Sequence, residues 1–327
     1  MPPTAPISVA LCTYNGAAFL RDQLDSIATQ ILQPAEVVVF DDGSTDSTLA
    51  LLQQFSQENP AMAMRIEVNP HRFGPAGNFQ RAIAACHGEI IVLCDQDDVW
   101  MPDKLAVIAA EFQRNPDLGL AFSDADICHE SGESLGYRLW QSVGFDPRLQ
   151  RRLQRGSAFE VILRQNVVTG ATMAFSSRLR DLVLPIDPRW MHDGWIALLI
   201  AAVAPVSAIR QPLVRYRQHA AQSIGALRRS LYQQYLNAKK LDGQWFALQA
   251  TLYEAALARL SECSAKGYTV APATLQIVQE KVCHWRRRSA IRERKIARLL
   301  PSTMEFLSFR YRRFSLGWKS FAQDLFL

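Results

Sequence analysis

Three carboxylates lie within four residues, directly after a short apolar segment. The segment Ile90–Cys94 has the composition of a buried strand, and Asp95, Asp97 and Asp98 follow it. Like charges at this spacing repel one another unless a cation or hydrogen-bond donors compensate them. Because Mg²⁺ and Mn²⁺ are commonly held by one or two carboxylates together with substrate phosphates, the cluster predicts a metal–diphosphate site. The alternative is that these residues cap the helix that begins near Pro102.

A second acidic pair follows another apolar segment. Asp41 and Asp42 come directly after Glu36–Phe40, and Gly43 and Ser44 come next. A carboxylate at the end of a strand can accept hydrogen bonds from a nucleotide base or a ribose hydroxyl, and glycine permits a close turn. Capping of the following helix explains the same pattern equally well.

Two further residues could take part in proton transfer or metal binding. Asp193, within Met191–Trp195, could be a general base that accepts the proton of an acceptor hydroxyl, although a helix cap is the simpler explanation for it alone. His219 follows a short strand pattern, where a neutral imidazole could bind a metal. Because a lone histidine is more often an ordinary surface or core residue, the two positions carry weight only in combination with the acidic clusters.

The first half of the chain alternates strand and helix patterns. Strands are predicted at Ile7–Cys12, Glu36–Phe40, Arg65–Asn69, Ile90–Cys94 and Leu118–Asp124. Helices are predicted at Phe19–Ala28, Asp46–Gln57, Asn78–Cys86 and Lys104–Arg114. This alternation indicates an α/β fold with a mostly parallel, Rossmann-like sheet and helices on both faces. Ligands bind such sheets at the carboxyl ends of the strands, where Thr13–Gly16 and the acidic clusters fall.

The second half has a less regular pattern. Residues Ser131–Gln154 mix glycine, aromatic and arginine residues, which predicts a long substrate loop or short helices. The elements predicted after it are a helix at Phe159–Gln165, an interrupted strand at Val167–Phe175, a helix at Asp193–Val203 and a strand at Leu213–Arg217. Helical spacing in the tail predicts Arg228–Cys263, Ile277–Leu300 and a third helix from Pro301 onward.

Charge divides the 327 residues into two parts. Residues 1–227 contain 18 Lys and Arg against 24 Asp and Glu, whereas residues 228–327 contain 18 against 7. The net charges of the two parts are therefore −6 and +11. An apolar content of 49% supports a full core and excludes a disordered chain. We expect one domain over 1–227 and a basic, amphipathic helical region over 228–327.

Composition also excludes several protein classes. The N-terminal residues lack a basic segment followed by an apolar one, so no cleaved secretory signal is expected. The longest apolar stretch, Trp195–Val206, is too short to cross a bilayer and contains Pro205. The six cysteines form no CxxC pair, and Cys12, Cys86 and Cys94 lie in apolar segments, which favours a reducing cytoplasm over a disulfide scaffold or zinc site.

The polar clusters occur in an order that is similar to a known enzyme family. The segments are ISVALCTYNG, VVVFDDGSTD, GEIIVLCDQDDVW, VVTGATMAF, HDGW and YRQH. Together they resemble the family 2 glycosyltransferases of the inverting, GT-A type over residues 6–225. The last two resemble the rhamnosyltransferase-like branch, which builds bacterial surface polysaccharides such as O-antigen or capsule. The resemblance implies transfer of a sugar from a nucleotide-diphosphate sugar to a hydroxyl acceptor, with inversion at the anomeric carbon.

The resemblance assigns roles around the donor. Thr13, Tyr14 and Asn15 would line the nucleotide pocket, Asp41 and Asp42 would contact the base and ribose, and Asp95 would contact the ribose or sugar. One departure concerns this pocket. Many relatives carry Ala-Arg-Asn where this chain has Asn78-Phe79-Gln80, so the arginine is missing, although Arg81 is adjacent.

The remaining roles concern metal binding and proton transfer. Asp97 would bind a divalent metal, Mn²⁺ or Mg²⁺, and His219 would complete the metal or diphosphate site. Asp193 would be the catalytic base that takes the proton of the acceptor hydroxyl. Gly170 and Trp195 would shape the sugar and acceptor pocket.

Partners and location follow from the same resemblance. We expect a dTDP- or UDP-sugar as donor, a saccharide or lipid-linked saccharide as acceptor, no nucleic acid, and a cytoplasmic location with peripheral attachment to the inner membrane face as an option. Two other functions remain open. A non-catalytic nucleotide-sugar scaffold would not need Asp97, Asp193 and His219 together. A sugar nucleotidyltransferase would normally carry a glycine-rich loop with Lys or Arg, which Thr13–Gly16 lacks.

The basic tail has three explanations. Apolar and aromatic residues recur every three or four positions from Leu307 to Leu325, and Arg310, Arg312, Arg313 and Lys319 lie among them. This pattern suits a helix on an anionic membrane surface, and it suits packing on the catalytic domain or in a homo-dimer equally well. Nucleic-acid binding is the least favoured because no nucleic-acid-binding motif occurs.

Overall fold

The computed structural model describes residues 5–219, 233, 236, 238–263, 266–293 and 298–326. Its contacts divide the chain into two units. The sheet unit comprises Met1–Ala158 and Val167–Leu227, and the helical unit comprises Phe159–Asn166 and Arg228–Leu327. The sequence-based division at residue 227 therefore differs at one segment, because residues 159–166 make their contacts within the helical unit.

The described strands of the sheet unit form one nine-stranded sheet. They are β1 (Ile7–Thr13), β2 (Glu36–Asp41), β3 (Met64–Val68), β4 (Ile90–Cys94), β5 (Val99–Trp100), β6 (Leu120–His129), β7 (Ser134–Arg138), β8 (Met173–Ser176) and β9 (Val206–Gln218). Their spatial order is β3-β2-β1-β4-β8-β6-β9-β5, and β7 pairs with β6.

Strand direction brings the polar clusters to one edge of this sheet. β1 to β4 are parallel, so their carboxyl ends meet. β8 lies antiparallel between β4 and β6, and β6 is parallel to β9. Because β8 is antiparallel to both neighbours, β6 and β9 run in the same direction as β4. The end of β9 and the beginning of β8 therefore lie at the edge where β1, β2 and β4 end. The sheet is thus parallel over its first half and mixed over its second.

Helices cover the sheet because its central strands are apolar on both faces. All residues of β1 and β4 are buried. Leu24, Phe55 and Ile108 from three helices share one apolar core with Val9 and Val92 from these strands. The helices of this unit are Leu20–Ala28, Thr48–Glu58, Gly74–Ala85, Lys104–Arg114, Leu139–Ser142, Pro147–Gln154, Arg180–Val183 and His192–Ala201, with 3₁₀ turns at Gly170–Thr172 and Ser177–Leu179.

Two predicted elements of the sheet unit differ in extent. Residues Ser131–Gln154 contain short helices, as one of the two predictions had it, but also β7, whose alternating polar pattern gave no clear signal. The strand predicted at Leu213–Arg217 is only the end of β9. Its first half is partly exposed, so the sequence there lacks the apolar run of a buried strand.

The helical unit contains one segment from the middle of the chain and the helices of the tail. Its helices are Ala158–Arg164, Gly243–Cys263, Pro272–Glu293, Leu299–Leu307, Arg310–Phe314 and Trp318–Phe326. The predicted start at Arg228 lies outside the described residues, as do residues 294–297 of the second predicted helix. No helix in the described part of the chain is long and apolar enough to span a membrane.

The prediction of one continuous helix after Pro301 is wrong. The backbone turns left-handed at Phe309 (φ 59°) and at Gly317 (φ 65°), which ends the helical path at each point. Three short helices result, so no long stripe for helix pairing forms in this segment.

A buried ion pair lies at the centre of the tail helices. Both carboxylate oxygens of Asp324 accept hydrogen bonds from Arg288, at 2.6 and 2.9 Å, and the hydroxyl of Tyr311 donates to Asp324 at 2.7 Å. All three side chains are buried. Nearby, the ammonium of Lys281 donates to the carbonyl of Leu163, which fastens the segment 159–166 to this unit.

We expect Asp324→Asn to lower the free energy of unfolding by about 3–5 kcal/mol, because Arg288 would keep a buried charge without its counter-charge. Urea unfolding followed by circular dichroism measures the change. Glu262→Gln is the matched control, since Glu262 is exposed and lies 4.0 Å from Arg259. Its loss should stay below about 1 kcal/mol. Equal losses in the two variants would contradict a stabilising role for the buried pair.

Candidate functional site at the carboxyl edge of the sheet

Asp41 organises the turns that follow β1 and β2. Its carboxylate accepts hydrogen bonds from the hydroxyls of Thr13 (2.8 Å) and Ser44 (2.6 Å) and from the backbone N–H groups of Gly43 and Ser44. These four bonds use the acceptor capacity of a carboxylate. Because Asp41 is also fully buried, its visible role is to shape the pocket wall, and contact with a base or ribose stays a prediction.

Asp42 holds the beginning of the helix Gly74–Ala85. Its oxygens accept hydrogen bonds at 2.8 Å from the side chain of Asn69 and from the backbone N–H groups of Phe73 and Gly74. Asn69 also donates to Asn78, which in turn donates to the carbonyl of Phe40. Asn78 therefore joins the helix Gly74–Ala85 to the end of β2 as a structural residue.

Tyr14 and Asn15 lie in the turn that directly follows β1. Asn15 has a left-handed backbone (φ 47°), its N–H donates to the hydroxyl of Ser44, and its side-chain oxygen accepts from the N–H of Thr45. The guanidinium of Arg72 lies 3.9 Å from the centre of the Tyr14 ring, a cation–π contact. Sequence reasoning missed Arg72, because no pattern links an exposed arginine after β3 to the turn after β1.

Gln96, between the first two acids of the cluster, locks the turns after β1 and β4 together. Its side-chain oxygen accepts from the N–H of Tyr14 at 2.8 Å, and its amide donates to the carbonyl of Tyr14 at 3.0 Å. A Cβ on Gly16 would overlap the Gln96 amide, so a larger residue there would displace this side chain from its position. The alternation of acids with a glutamine is the sequence signal that could have identified this bridge.

The three acids after β4 have three different environments. Asp97 contacts the Nε2 atom of His219 at 2.8 Å, so the two residues predicted to bind metal are adjacent. Asp98 is buried and accepts the backbone N–H of Arg217. Burial, then the charges of Asp97 and Asp95, raise the pKa of Asp98 well above its usual range. Asp98 thus anchors β9 under the site.

Asp95 lies between the other charged groups. Its removal from water, then the negative charges of Asp97 and Asp193, raise its pKa to about 7, and Lys104 opposes the shift. Lys104 is buried, and its ammonium donates to the carbonyl of Ala171 at 2.8 Å and lies over the Trp100 ring. Burial lowers its pKa to about 8. Sequence reasoning missed Lys104, which read as an ordinary first residue of a helix.

Asp193 reaches this cluster from another part of the chain. It is half-buried at the start of the helix His192–Ala201 and accepts the N–H of Gly194 at 2.5 Å and that of Gly170 at 3.3 Å. Gly170 lies in the turn that leads into β8 and is buried. The structure therefore brings Asp95, Asp97, Asp193 and Gly170 to one edge, together with His219.

His192 packs directly beneath Gly170. A Cβ on Gly170 would lie 2.6 Å from the Nε2 atom of His192, and the imidazole stacks on Phe79 at 4.1 Å. Burial lowers the pKa of His192 to about 3, so its ring is neutral. Among the described residues, neither ring nitrogen has a hydrogen-bond partner. The close packing explains why residue 170 must be a glycine.

Trp195 and the residues near the missing arginine serve the scaffold. Trp195 is buried, and its indole N–H donates to the carbonyl of Val183 at 2.8 Å. The half-exposed Trp190 lies beside it, with ring centres 6.0 Å apart. Arg81 lies over the rings of Phe40 and Phe73, at 5.4 and 5.2 Å. Lining of the sugar pocket by Trp195 stays a prediction.

The protein alone offers few metal ligands. In the part of the chain that the structure describes, no group of three or more His, Cys, Asp or Glu side chains is arranged to hold a metal ion. Asp97 and His219 form a pair of possible ligands. Such a pair suits an ion whose remaining ligands are substrate phosphates and water.

Comparisons with known proteins agree with this architecture. Residues 8–162 match the family model of glycosyl transferase family 2. The glycosyltransferase alr2836 of Nostoc sp. is 29% identical over 220 residues, which is 66% of this chain and 65% of the relative. The dTDP-rhamnosyl transferase RfbG of Shigella flexneri is 27% identical over 264 residues, or 76% and 84% of the two chains. The chain spans 65% and 59% of the length of the Nostoc relative and of relatives from Mycobacterium.

Solved structures show the same fold. S. aureus TarS 1–349 in complex with UDP-GlcNAc has a TM-score of 0.59 at 14% identity and covers 86% of this chain and 72% of its own. The mannosyltransferase PcManGT from Pyrobaculum calidifontis, in complex with GDP-Man and Mn²⁺, has a TM-score of 0.51 at 21% identity. The match covers 94% of this chain and 88% of PcManGT. The expected GT-A fold, with an added helical region, is thereby confirmed.

We expect Gly170→Ala to destabilise the protein by about 1–3 kcal/mol, because the new methyl group would overlap His192. Urea unfolding measures the loss. The double variant Gly170→Ala/His192→Ala removes the overlapping ring and should be less destabilised than the sum of the two single variants. Strict additivity would contradict direct steric coupling between residues 170 and 192.

Proposed function

We propose that this chain is a family 2 glycosyltransferase that moves a sugar from a nucleotide-diphosphate sugar to a hydroxyl acceptor with inversion at the anomeric carbon. One observation carries the proposal. Asp193 lies close enough to Asp95 for its charge to raise the Asp95 pKa, at the edge where Asp97 meets His219. Asp95 and Asp97 thus meet Asp193 and His219, which lie about 100 residues or more later in the sequence, at the carboxyl edge of the sheet.

Asp193 is the proposed catalytic base. Its carboxylate stays partly open to solvent, and the N–H groups of Gly170 and Gly194 fix its orientation. When an acceptor hydroxyl attacks the anomeric carbon, Asp193 takes its proton, the bond to the diphosphate breaks, and a single displacement inverts the carbon. Proton acceptance by a positioned base contributes about 10²–10⁴-fold in rate.

Asp97 and His219 are the proposed protein ligands of a divalent cation. A carboxylate oxygen and an imidazole nitrogen 2.8 Å apart suit Mn²⁺ or Mg²⁺, and diphosphate oxygens would complete the coordination. When bound, the ion acts as a Lewis acid that offsets the charge of the leaving diphosphate. The Mn²⁺ in the PcManGT structure supports this assignment. Burial, then the charges of Asp97 and Asp193, raise the pKa of Asp95 beside this pair, so a cation there would offset part of the local negative charge.

The turns after β1 and β2 are the proposed nucleotide pocket. Thr13, Tyr14 and Asn15 line it, and Asp41 and Asp42 hold its walls through internal hydrogen bonds. Asp95 lies next to the cation site, where a ribose or sugar hydroxyl would meet it. Names of relatives support a dTDP- or UDP-sugar as donor, because RfbG is a dTDP-rhamnosyl transferase and TarS binds UDP-GlcNAc.

The proposed acceptor is a saccharide or a lipid-linked saccharide in bacterial surface-polysaccharide assembly. The similarity to RfbG supports this role, and we propose a cytoplasmic location with peripheral attachment to the membrane. Two alternatives are less favoured. A non-catalytic scaffold has no need of Asp193 beside the Asp97–His219 pair. A sugar nucleotidyltransferase would need a basic phosphate loop, which Thr13–Gly16 is not.

Asp193→Asn should lower sugar transfer about 10²–10⁴-fold and leave nucleotide binding nearly unchanged, because the amide keeps its size but accepts no proton. Nucleotide release from dTDP-rhamnose, UDP-GlcNAc and GDP-mannose, with a bacterial lipid extract as acceptor source, measures transfer. Calorimetry with dTDP and UDP measures binding. Asp117→Asn, at an exposed acid away from the site, is the matched control. Wild-type turnover by the Asp193 variant would exclude it as the base.

Removal of the metal should weaken nucleotide binding. We expect the affinity of the wild-type protein for dTDP or UDP to be at least about tenfold higher with Mn²⁺ than with EDTA, since diphosphate oxygens share the ion with the protein. Asp97→Asn should lose most of this difference, whereas Asp117→Asn should keep it. Titration calorimetry checks both. A full Mn²⁺ effect in the Asp97 variant would remove Asp97 from the metal site.

A further inference from the structure

The helix Leu299–Leu307 has reversed polarity. Its buried residues are Ser302 and Glu305, which are at most 3% exposed. Its apolar side chains lie outside: Leu299, Leu300, Met304 and Leu307 are 64–70% exposed. A helix on the surface of a water-soluble protein normally buries its apolar face and exposes its polar face. This helix does the opposite.

The last helix, Trp318–Phe326, repeats the reversal. Its buried residues are Ser320 and Asp324. Trp318 and Phe326 are 68% and 77% exposed. These two helices are separated by left-handed turns at Phe309 and Gly317. Both direct apolar side chains outward, so the exposure is not confined to one helix.

Buried charges fix the two helices in this orientation. Glu305 lies 2.7 Å from His284 and also pairs with Arg287 at 2.9 Å. Asp324 pairs with Arg288 at 2.6 Å. Turning either helix to bury its apolar side would pull its carboxylate away from these partners, at the cost of an uncompensated charge. The outward apolar side is thus a property of the folded unit.

The short segments next to these helices expose apolar side chains as well. Phe309 has a left-handed backbone, which is unfavourable for a bulky residue, and its side chain is 70% exposed. Leu316, in the segment before the last helix, is also exposed, as is Phe306 within the helix Leu299–Leu307. Residues 299–326 carry nine of the fifteen large apolar side chains that are exposed among the described residues. We refer to the exposed side chains of residues 299–326 as the terminal surface.

The charge of the terminal surface is positive. The acids of residues 299–326 are Glu305 and Asp324, and both are buried in ion pairs. The exposed charged residues are Arg312, Arg313 and Lys319. Arg313 pairs with Glu280 of another helix. A surface of apolar and basic side chains without an exposed acid is complementary to anionic lipid, whose headgroups attract cations and whose chains accept apolar groups.

We propose that the terminal surface docks on an anionic phospholipid bilayer. Its apolar side chains enter the headgroup–chain boundary, and Arg312 and Lys319 contact lipid phosphates. The proposal deepens the proposed function, on which it rests for its purpose, because a lipid-linked acceptor is presented at such a surface. Large exposed apolar patches bordered by polar residues mark protein or membrane interaction sites.

Charge decides between a bilayer and a second copy of the chain. In a two-fold symmetric dimer the same patch meets itself, so the basic residues of one subunit would face those of the other. The terminal surface has no exposed acid to pair with them. Like charges across an interface oppose association, whereas anionic lipid attracts the same charges.

Co-sedimentation of the full-length protein with vesicles tests the proposal. Vesicles of pure phosphatidylcholine and vesicles of phosphatidylcholine with phosphatidylglycerol contain neither donor nor acceptor. We expect binding to the anionic vesicles that falls with added salt. Leu300→Glu/Leu307→Glu should lower the partition coefficient at least about tenfold. Arg312→Gln/Lys319→Gln should lower it about fivefold per charge.

Leu248→Glu is the matched control, because Leu248 is an exposed leucine on another helix of the same unit. It should bind like the wild type, and thermal melting confirms folding of every variant. Absence of vesicle binding by the wild-type protein overturns the proposal. So does a dimer, seen by light scattering, that Leu300→Glu/Leu307→Glu dissociates. Asp193→Asn should bind vesicles normally, so failure of catalysis and failure of docking are distinguished.

Discussion

Repulsion among carboxylates is the constraint on which the functional edge of the sheet depends. Asp95, Asp97, Asp98 and Asp193 converge there, where burial and then the charges of the neighbouring carboxylates raise the pKa values of Asp95 and Asp98. The chain compensates with an N–H from β9, an imidazole and a buried ammonium. The compensation is incomplete, so the edge retains an affinity for protons and cations. The repulsion that destabilises this edge of the sheet is therefore also the source of its affinity for protons and cations.

Much of the sheet could be predicted from local sequence, since short apolar runs between helix patterns determine strands such as β1, β2 and β4. That these strands end at one edge follows from parallel pairing. The approach of His219 and Gly170 to the same edge does not, because it depends on the antiparallel insertion of β8 between β4 and β6. Such pairing joins residues more than 50 positions apart and leaves no periodic signal. Only the similarity to a known family indicated it.

Aspartates in similar sequence positions also have different roles, because their hydrogen-bond partners come from distant parts of the chain. Asp41 and Asp97 both follow apolar strands, yet Asp41 is saturated by internal donors while Asp97 meets a single imidazole. The difference depends on where other turns place their N–H groups. The tail shows the same limit, because helical spacing gave no warning of the left-handed backbone at Phe309. Spacing describes one helix face and does not report where the chain changes direction.

Residues 159–166 belong to the helical unit although the sheet unit continues after them in the sequence. This limits where the gene can be divided. Within the helical unit, the carbonyl of Leu163 accepts the ammonium of Lys281, and Arg164 donates to the carbonyl of Ser315. A protein ending at residue 227 would keep the strands described here but would lose both partners. The buried face of Phe159–Leu163 would then meet water only a few residues ahead of Gly170. Because residues 159–166 lie within the sequence of the sheet unit but belong to the helical unit, neither unit can be inherited or transplanted without part of the other.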